Sequence, residues 1–253
     1  MAGAPIAQAQ MPKLLNQKFL ERGTATMVVP LHIAKSGLQN LLRAMCDMQN
    51  VVGLLVTIPH KQQLCNLSQF PSARARLLGF ANVVRLNSSN ALECDCLDGD
   101  ALMTALLKRN FSPQGTSALV VGSGGAGAAY AAALVQSGAR IIDLFDTDFT
   151  RCESLATRLR LFDDKVKINV LQTLESHSQY NLVVNASPAG MYAIDECSIP
   201  NIITDSAQFV VDATTPTWTT QIIQRADLNK IPQIEGKELA AAQIDSLLSY
   251  FAI

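Results

Sequence analysis

The chain has 253 residues, 49% of them hydrophobic and only 16% charged, with a net charge of −1. That is chain enough for one large domain or two smaller ones with real cores, and too apolar for a disordered segment. Near-neutral charge gives no reason to expect nucleic acid or a membrane surface as partner, and every apolar run breaks before the roughly 18 residues of a membrane span.

In chain order, Pro12 can open a helix carrying Leu14, Leu15, Phe19 and Leu20. Residues 24–31 read as a strand stopped by Pro30. From Gly37 to Met48 the residues Leu38, Leu41, Leu42 and Met45 recur at helical spacing. Residues 51–58 read as a buried strand ending at Pro59-His60-Lys61. Helices are expected over 62–67 and 73–78, and short strands over 82–86 and 91–94 around a Ser-Ser-Asn turn. Asp98-Gly99-Asp100 opens a helix over 101–107. This alternation suggests an α/β unit with a mostly parallel sheet.

Phe111-Ser112-Pro113-Gln114-Gly115 is a linker candidate. Strand 117–121, helix 125–137, strand 140–145, helix 150–160 and strands 167–171, 181–185 and 208–212 then follow. That order is a doubly wound, Rossmann-type nucleotide-binding domain. Residues 239–250, with Leu239, Ala242, Ile244, Leu247 and Leu248, read as one amphipathic helix.

The strand at 117–121 runs into Gly122-Ser123-Gly124-Gly125-Ala126-Gly127, glycines spaced G-x-G-x-x-G before an alanine-rich segment. Such a turn brings backbone close to a pyrophosphate and aims helix N-terminal amides at it. The second strand ends at Asp146, where a carboxylate accepts from ribose hydroxyls and repels a 2′-phosphate. Asp148 stands beside it, and the nearest cation, Arg151, lies inside the next helix. NAD is therefore expected over NADP.

The start, Met1-Ala2-Gly3-Ala4-Pro5, lacks the basic residues and apolar core of a signal peptide, so a cytoplasmic location is expected. Six scattered cysteines suit reduced thiols there. Cys94 and Cys96 form only a C-x-C, and His32 and His177 have no ligand partners at metal spacing. No metal site is expected.

Lys61, Asn82 and Asp98 each fall at an element boundary of the first half. Converging on a cleft, a lysine could serve as acid or base and a carboxylate could orient it. Solvated lysines and aspartates are commoner, so these residues alone leave catalysis open. His60 is expected to place the loop rather than react, and Trp218 to anchor a loop or to stack on a ligand.

Together, Gly3-Ala4-Pro5-Ile6, Val56-Thr57-Ile58-Pro59-His60-Lys61, Gly79-Phe80-Ala81-Asn82, Leu97-Asp98-Gly99, the glycine turn, Asn185-Ala186-Ser187-Pro188-Ala189-Gly190-Met191 and Gly236-Lys237-Glu238-Leu239 through Gln243 form an ordered series. In that order they resemble the shikimate/quinate dehydrogenase family. The resemblance implies a substrate-binding and catalytic domain from residues 1–100 and 236–253, and a dinucleotide-binding domain from 101–235. It implies Lys61 and Asp98 as catalytic pair, with Thr57, Asn82 and Gln243 touching substrate. Asn185, Ala186, Ser187 and Met191 would line the nicotinamide side, with Gly236 beside them.

Some positions depart from the family pattern. Two serines that hold a substrate carboxylate read Ala9 and Met11, and a tyrosine is missing from Asp212-Ala213-Thr214-Thr215-Pro216. Only Met1 and Ala2 precede Gly3, where the family has a strand. An N-R-T that greets a 2′-phosphate reads Asp146-Thr147-Asp148, in line with NAD. The resemblance implies an NAD-dependent oxidoreductase, as in aromatic amino acid biosynthesis. It would move hydride between a small cyclic hydroxy acid and the nicotinamide, as monomer or homodimer. The alternative is a non-catalytic homologue that binds NAD or a metabolite and regulates or scaffolds, motivated by the lost hydroxyls. Lys61 kept together with Asp98 argues against it.

Overall fold

Short strands and helices alternate from the first residues of the computed structural model, which describes every residue except 175–178, 194–196 and 198. His177, weighed above as a metal ligand, lies outside the described residues. The chain divides into two compact units, Met1–Asp98 with Gln243–Ile253, and Gly99–Ala242.

The first unit contains β1 (Ala2–Gly3), α1 (Met11–Arg22), β2 (Leu31–His32), α2 (Leu38–Asp47), β3 (Gly53–Leu55), α3 (Lys61–Leu67), β4 (Phe70–Pro71), α4 (Ala73–Leu78), β5 (Val83–Leu86) and β6 (Leu92–Asp95). Pro12 sits in the first turn of α1, where its missing N–H costs nothing, and Met11, Leu15 and Phe19 are buried. The apolar stripe of α2 buries Leu38, Leu42 and Met45 in a core shared with Leu54, Val56, Leu64, Val84 and Cys94.

The expected strand at 24–31 does not form. At Val28 the main-chain groups are taken by a side chain: Asn16 Oδ1 accepts the Val28 N–H at 2.6 Å and Asn16 Nδ2 donates to the Val28 carbonyl at 3.0 Å. Only Leu31–His32, after Pro30, pairs with β1. That pair is parallel, but the unit's separate four-stranded sheet is not mostly so. Strand order is β3-β5-β6-β4, with β3–β5 and β5–β6 antiparallel and β4–β6 parallel. A tight turn joins β5 to β6, with Asn90 in the left-handed region at φ 56°, and a turn that short can only reverse the chain.

The second unit opens within α5 (Asp98–Lys108), of which only the first residue belongs to unit one. It contains β7 (Ser117–Val121), α6 (Gly125–Gln136), β8 (Ile141–Phe145), α7 (Phe149–Phe162), β9 (Lys167–Val170), β10 (Leu182–Asn185), α8 (Asn201–Ser206), β11 (Phe209–Asp212), α9 (Gln221–Leu228), β12 (Gln233–Glu235) and α10 (Gly236–Ala242). Six strands run β12-β11-β10-β7-β8-β9, all parallel. The chain builds outward from β7 to β9, then crosses back to β10 on the other side of β7. That reversal opens a crevice at the carboxyl ends of β7 and β10, where ligands bind in such sheets. Phe111, in the linker candidate, lies inside this unit and packs on Phe209 with ring centroids 5.0 Å apart.

The single helix expected over 239–250 is two, α10 and α11 (Ile244–Phe251), broken at Gln243. Helices α8 and α9 and strand β12 were not read from the sequence. Among the described residues no helix is long and apolar enough to cross a membrane.

Candidate functional site

In the first unit four separate elements deliver polar side chains to one point. Lys61 opens α3 just after His60, and Asp98 opens α5. Asn82 leaves the turn after α4, which Gly79 ends at φ 70°. Gln243 stands at the break before α11. The turn is pinned by main chain, with the Ala81 N–H on the Lys61 carbonyl at 3.0 Å and the Asn82 N–H on Asp95 at 2.9 Å.

Asp98 is the hub. One carboxylate oxygen accepts the Lys61 ammonium. The other accepts Asn82 Nδ2 at 2.8 Å and Gln243 Nε2 at 3.1 Å. Asn82 Oδ1 in turn accepts the Leu97 N–H at 2.8 Å, which settles its orientation. Lys61 and Asp98 side chains are only 15% and 13% exposed. Burial works to lower the Lys61 pKa, but the Asp98 charge beside it, with Cys96 and the hydrogen bond to Asp98, outweighs that and holds it above 10.5. The same surroundings push the Cys96 thiol up to about 12, through burial first and the Asp98 charge second. The resting pair is therefore an ammonium on a carboxylate.

His60 is fully buried, with Nε2 3.3 Å from the Ile33 carbonyl, and burial lowers its pKa. Thr57 lies against the first strand: its N–H donates to Ala2 at 2.9 Å, and a Cβ on Gly3 would sit 2.4 Å from its methyl. Met11 is buried and Ala9 half-buried, while Gln8 and Gln10 donate to carbonyls of their own loop at 3.4 and 3.2 Å.

The second unit carries the glycine turn at its crevice. Gly122 takes φ 98°, and a Cβ there would lie 2.7 Å from the main chain of Ala186 and Ser187. A Cβ on Gly127 would lie 1.8 Å from the Gly122 carbonyl, so helix and turn touch only because both are glycine. At Gly124 a Cβ would meet open space. Gly124 precedes α6 with no side-chain cap, which leaves the first-turn amides of Gly125, Ala126 and Gly127 for an anion. These features fit a pyrophosphate.

Ser123 is buried, and its N–H donates to Asp146 Oδ2 at 2.6 Å. Asp146 Oδ1 accepts the Asp148 N–H at 2.9 Å. Arg151, in the first turn of α7, reaches back to within 3.6 Å of Asp146 and 3.2 Å of Asp148, and stays half-exposed. The carboxylate at the strand end thus braces the glycine turn and is paired with a cation.

Beside the turn, Asn185 ends β10 and shapes the segment after it. Its Oδ1 accepts the Ser187 N–H at 3.1 Å and hydroxyl at 2.7 Å, and its Nδ2 donates to the Ala189 carbonyl at 3.2 Å. Ala186 N–H donates to Val121 at 2.8 Å and Met191 N–H to Pro188 at 3.0 Å. Gly236 begins α10, where a Cβ would lie 2.2 Å from the Thr214 carbonyl. Two residues of this end are not singled out as functional by the sequence: Thr220, and Asp212, which figures there only in the segment that lacks a tyrosine. Asp212 ends an apolar strand as Asp146 does, and that was the available signal.

A family model described as "Shikimate dehydrogenase substrate binding domain" matches residues 1–84. A shikimate dehydrogenase (NADP(+)) of Methanopyrus kandleri is 30% identical over 200 residues, 76% of this chain and 67% of the relative. Another, from Cereibacter sphaeroides, is 29% identical over 241 residues, 92% of this chain and 84% of the relative. Shikimate 5-dehydrogenase of Thermus thermophilus, solved with NADP(H) and shikimate, superposes with a TM-score of 0.87 at 20% identity, covering 99% of this chain and 91% of that one.

The curated relatives overturn the expectation of NAD, since they are NADP(+) enzymes. The physical reason lies at Asp146. Its oxygens are engaged by Ser123 and Asp148, and Arg151, set aside as lying within the helix, brings a positive charge to the strand end.

Proposed function

The chain belongs to the shikimate dehydrogenase family, and we propose that it is an NADP-dependent oxidoreductase acting on a ring hydroxyl of a small cyclic hydroxy acid, or on the corresponding ketone. The observation that carries this reading is the buried Lys61–Asp98 pair, with Asn82 and Gln243 on the same carboxylate. A protein that only binds a metabolite has no use for an ammonium held this way.

The first unit supplies proton chemistry. Lys61 rests protonated, so the site is prepared for reduction: Nζ gives a proton to the carbonyl oxygen as that carbon receives hydride. In oxidation the same atom takes the hydroxyl proton and must first be deprotonated, so that direction quickens as pH rises. Asp98 holds the ammonium, and Asn82 and Gln243 hold Asp98. Thr57, in the loop between β3 and α3, would touch the substrate.

The second unit holds the dinucleotide, which when bound supplies or accepts the hydride. The amides of Gly125, Ala126 and Gly127 would take the pyrophosphate, and Arg151 the 2′-phosphate, with Asp146 bracing the turn between them. Residues 185–191, at the crevice, would line the nicotinamide side, and Gly236 the far rim.

A panel of cyclic hydroxy acids, shikimate and quinate among them, assayed with NADP(+) for the absorbance of the reduced nicotinamide, tests the reading. Turnover of at least one, lost in Lys61→Ala, is expected. Tight NADPH binding with no turnover of any would overturn it.

A further inference from the structure

Asp212 ends β11 almost without exposure, 1% of its surface, and four donors converge on its carboxylate. Oδ1 accepts Asn185 Nδ2 at 3.0 Å, the Thr214 N–H at 3.0 Å and the Thr214 hydroxyl at 2.9 Å. Oδ2 accepts the Thr220 hydroxyl at 2.5 Å. All four donors are neutral. A buried carboxylate held this way stabilises no proton transfer to a ligand; what it fixes is the geometry of its donors.

The consequence runs through Asn185. With Nδ2 committed to Asp212 and to the Ala189 carbonyl, Oδ1 must face Ser187, whose hydroxyl then accepts the Ala189 N–H at 3.3 Å. The far end of the same segment is held independently, by Trp218 Nε1 donating to the Gly190 carbonyl at 3.2 Å. Both pins, Asp212 and Trp218, belong to the stretch 212–220. The segment they hold is the one that touches Gly122 of the glycine turn.

We propose that residues 212–220 are the clamp that sets the 185–191 segment for dinucleotide binding, with Asp212 as its positioning residue and Trp218 as its second pin. This rests on the reading of 185–191 as the nicotinamide side. Asp143 offers the contrast within the same unit. It is also a buried carboxylate, bonded to the Tyr180 hydroxyl at 2.8 Å and Asn169 Nδ2 at 2.7 Å, but Tyr180 belongs to the core and Asn169 to the edge strand β9, away from the 185–191 segment.

The test is NADPH affinity by fluorescence titration of the full chain, with kcat, both KM values and Tm measured beside it. Asp212→Ala is expected to weaken NADPH by about tenfold, the worth of one or two lost hydrogen bonds. The KM of the hydroxy acid should move far less. Asp212→Asn should recover most of the affinity, because its oxygen can keep Asn185 and Thr214 while its NH2 donates to Thr220. Trp218→Phe keeps the ring and removes one donor, so about threefold is expected. Asp143→Asn should lower Tm and leave NADPH affinity alone. Should Asp212→Ala not fold, Trp218→Phe decides. A wild type that binds NADPH, with Trp218→Phe and folded Asp212→Ala binding it equally well, overturns the clamp alone. A wild type that does not bind NADPH overturns the dinucleotide reading and the clamp with it.

Discussion

Asp98, partly buried, and Asp212, fully buried, each gather donors from separated parts of the chain, and they differ in the charge of one donor. Asp98 has a cation among its donors, and Asp212 has a hydroxyl at the corresponding place. With the cation, the carboxylate sustains an ammonium, which is a proton in store. Without it, burial pushes the Asp212 carboxyl up and the four donors are left to hold main chain. On the proposals above, the first arrangement would serve proton chemistry and the second would hold a segment in place.

The largest effect that could break this contrast is at Asp98. Asp98→Asn removes the charge that sustains Lys61, so the alkaline fall in ketone reduction should move to lower pH and turnover should drop by about 100-fold or more. Loss of one partner of a buried pair should also cost about 3 kcal/mol in urea unfolding. Asp212→Asn should do the reverse. Burial already holds its carboxyl above its ordinary value, so the folded state binds the proton more readily than the unfolded chain. Stability from this group therefore falls as pH rises from the ordinary value through the raised one, and the neutral isostere should be at least as stable as wild type above it. Equal losses for the two variants would erase the distinction.

Arg151 sharpens it further. Arg151→Ala should raise the KM for NADP(+) by about tenfold, the worth of a charge-assisted contact to phosphate, and leave kcat nearly unchanged. A fall in kcat instead would place the second unit in the chemistry. The smallest effect belongs to His60, whose pKa burial lowers below 6.5. Its unfolded form binds protons first as pH falls, so it should subtract stability below about pH 6.5. The Tm of His60→Asn should be flatter than wild type between about pH 5 and 7.

Much of the second unit was legible because its signals are local. The glycine turn, the apolar strand before it and the helix after it follow from residue types within one stretch, and β7, α6, β8 and α7 form within a residue or two of expectation. The misreadings came where a partner lies far along the chain. Residues 24–30 have strand chemistry, but Asn16 takes the Val28 groups. The apolar spacing over 239–250 continues through Gln243, whose break becomes meaningful only where its amide meets Asp98, 145 residues earlier. Asp146 was located at the strand end, but its meaning depends on Ser123 and Arg151, which a linear reading places on other elements. Lys61, Asn82 and Asp98 could be singled out; that one carboxylate gathers them required the fold.

Lys61→Ala is the most direct measurement, read as single-turnover hydride transfer and NADPH affinity on the same preparation. Hydride transfer should fall by about two to four orders of magnitude while NADPH binds as in wild type. Turnover at the wild-type rate, with or without altered NADPH affinity, would contradict the assignment of proton chemistry to the Lys61–Asp98 pair.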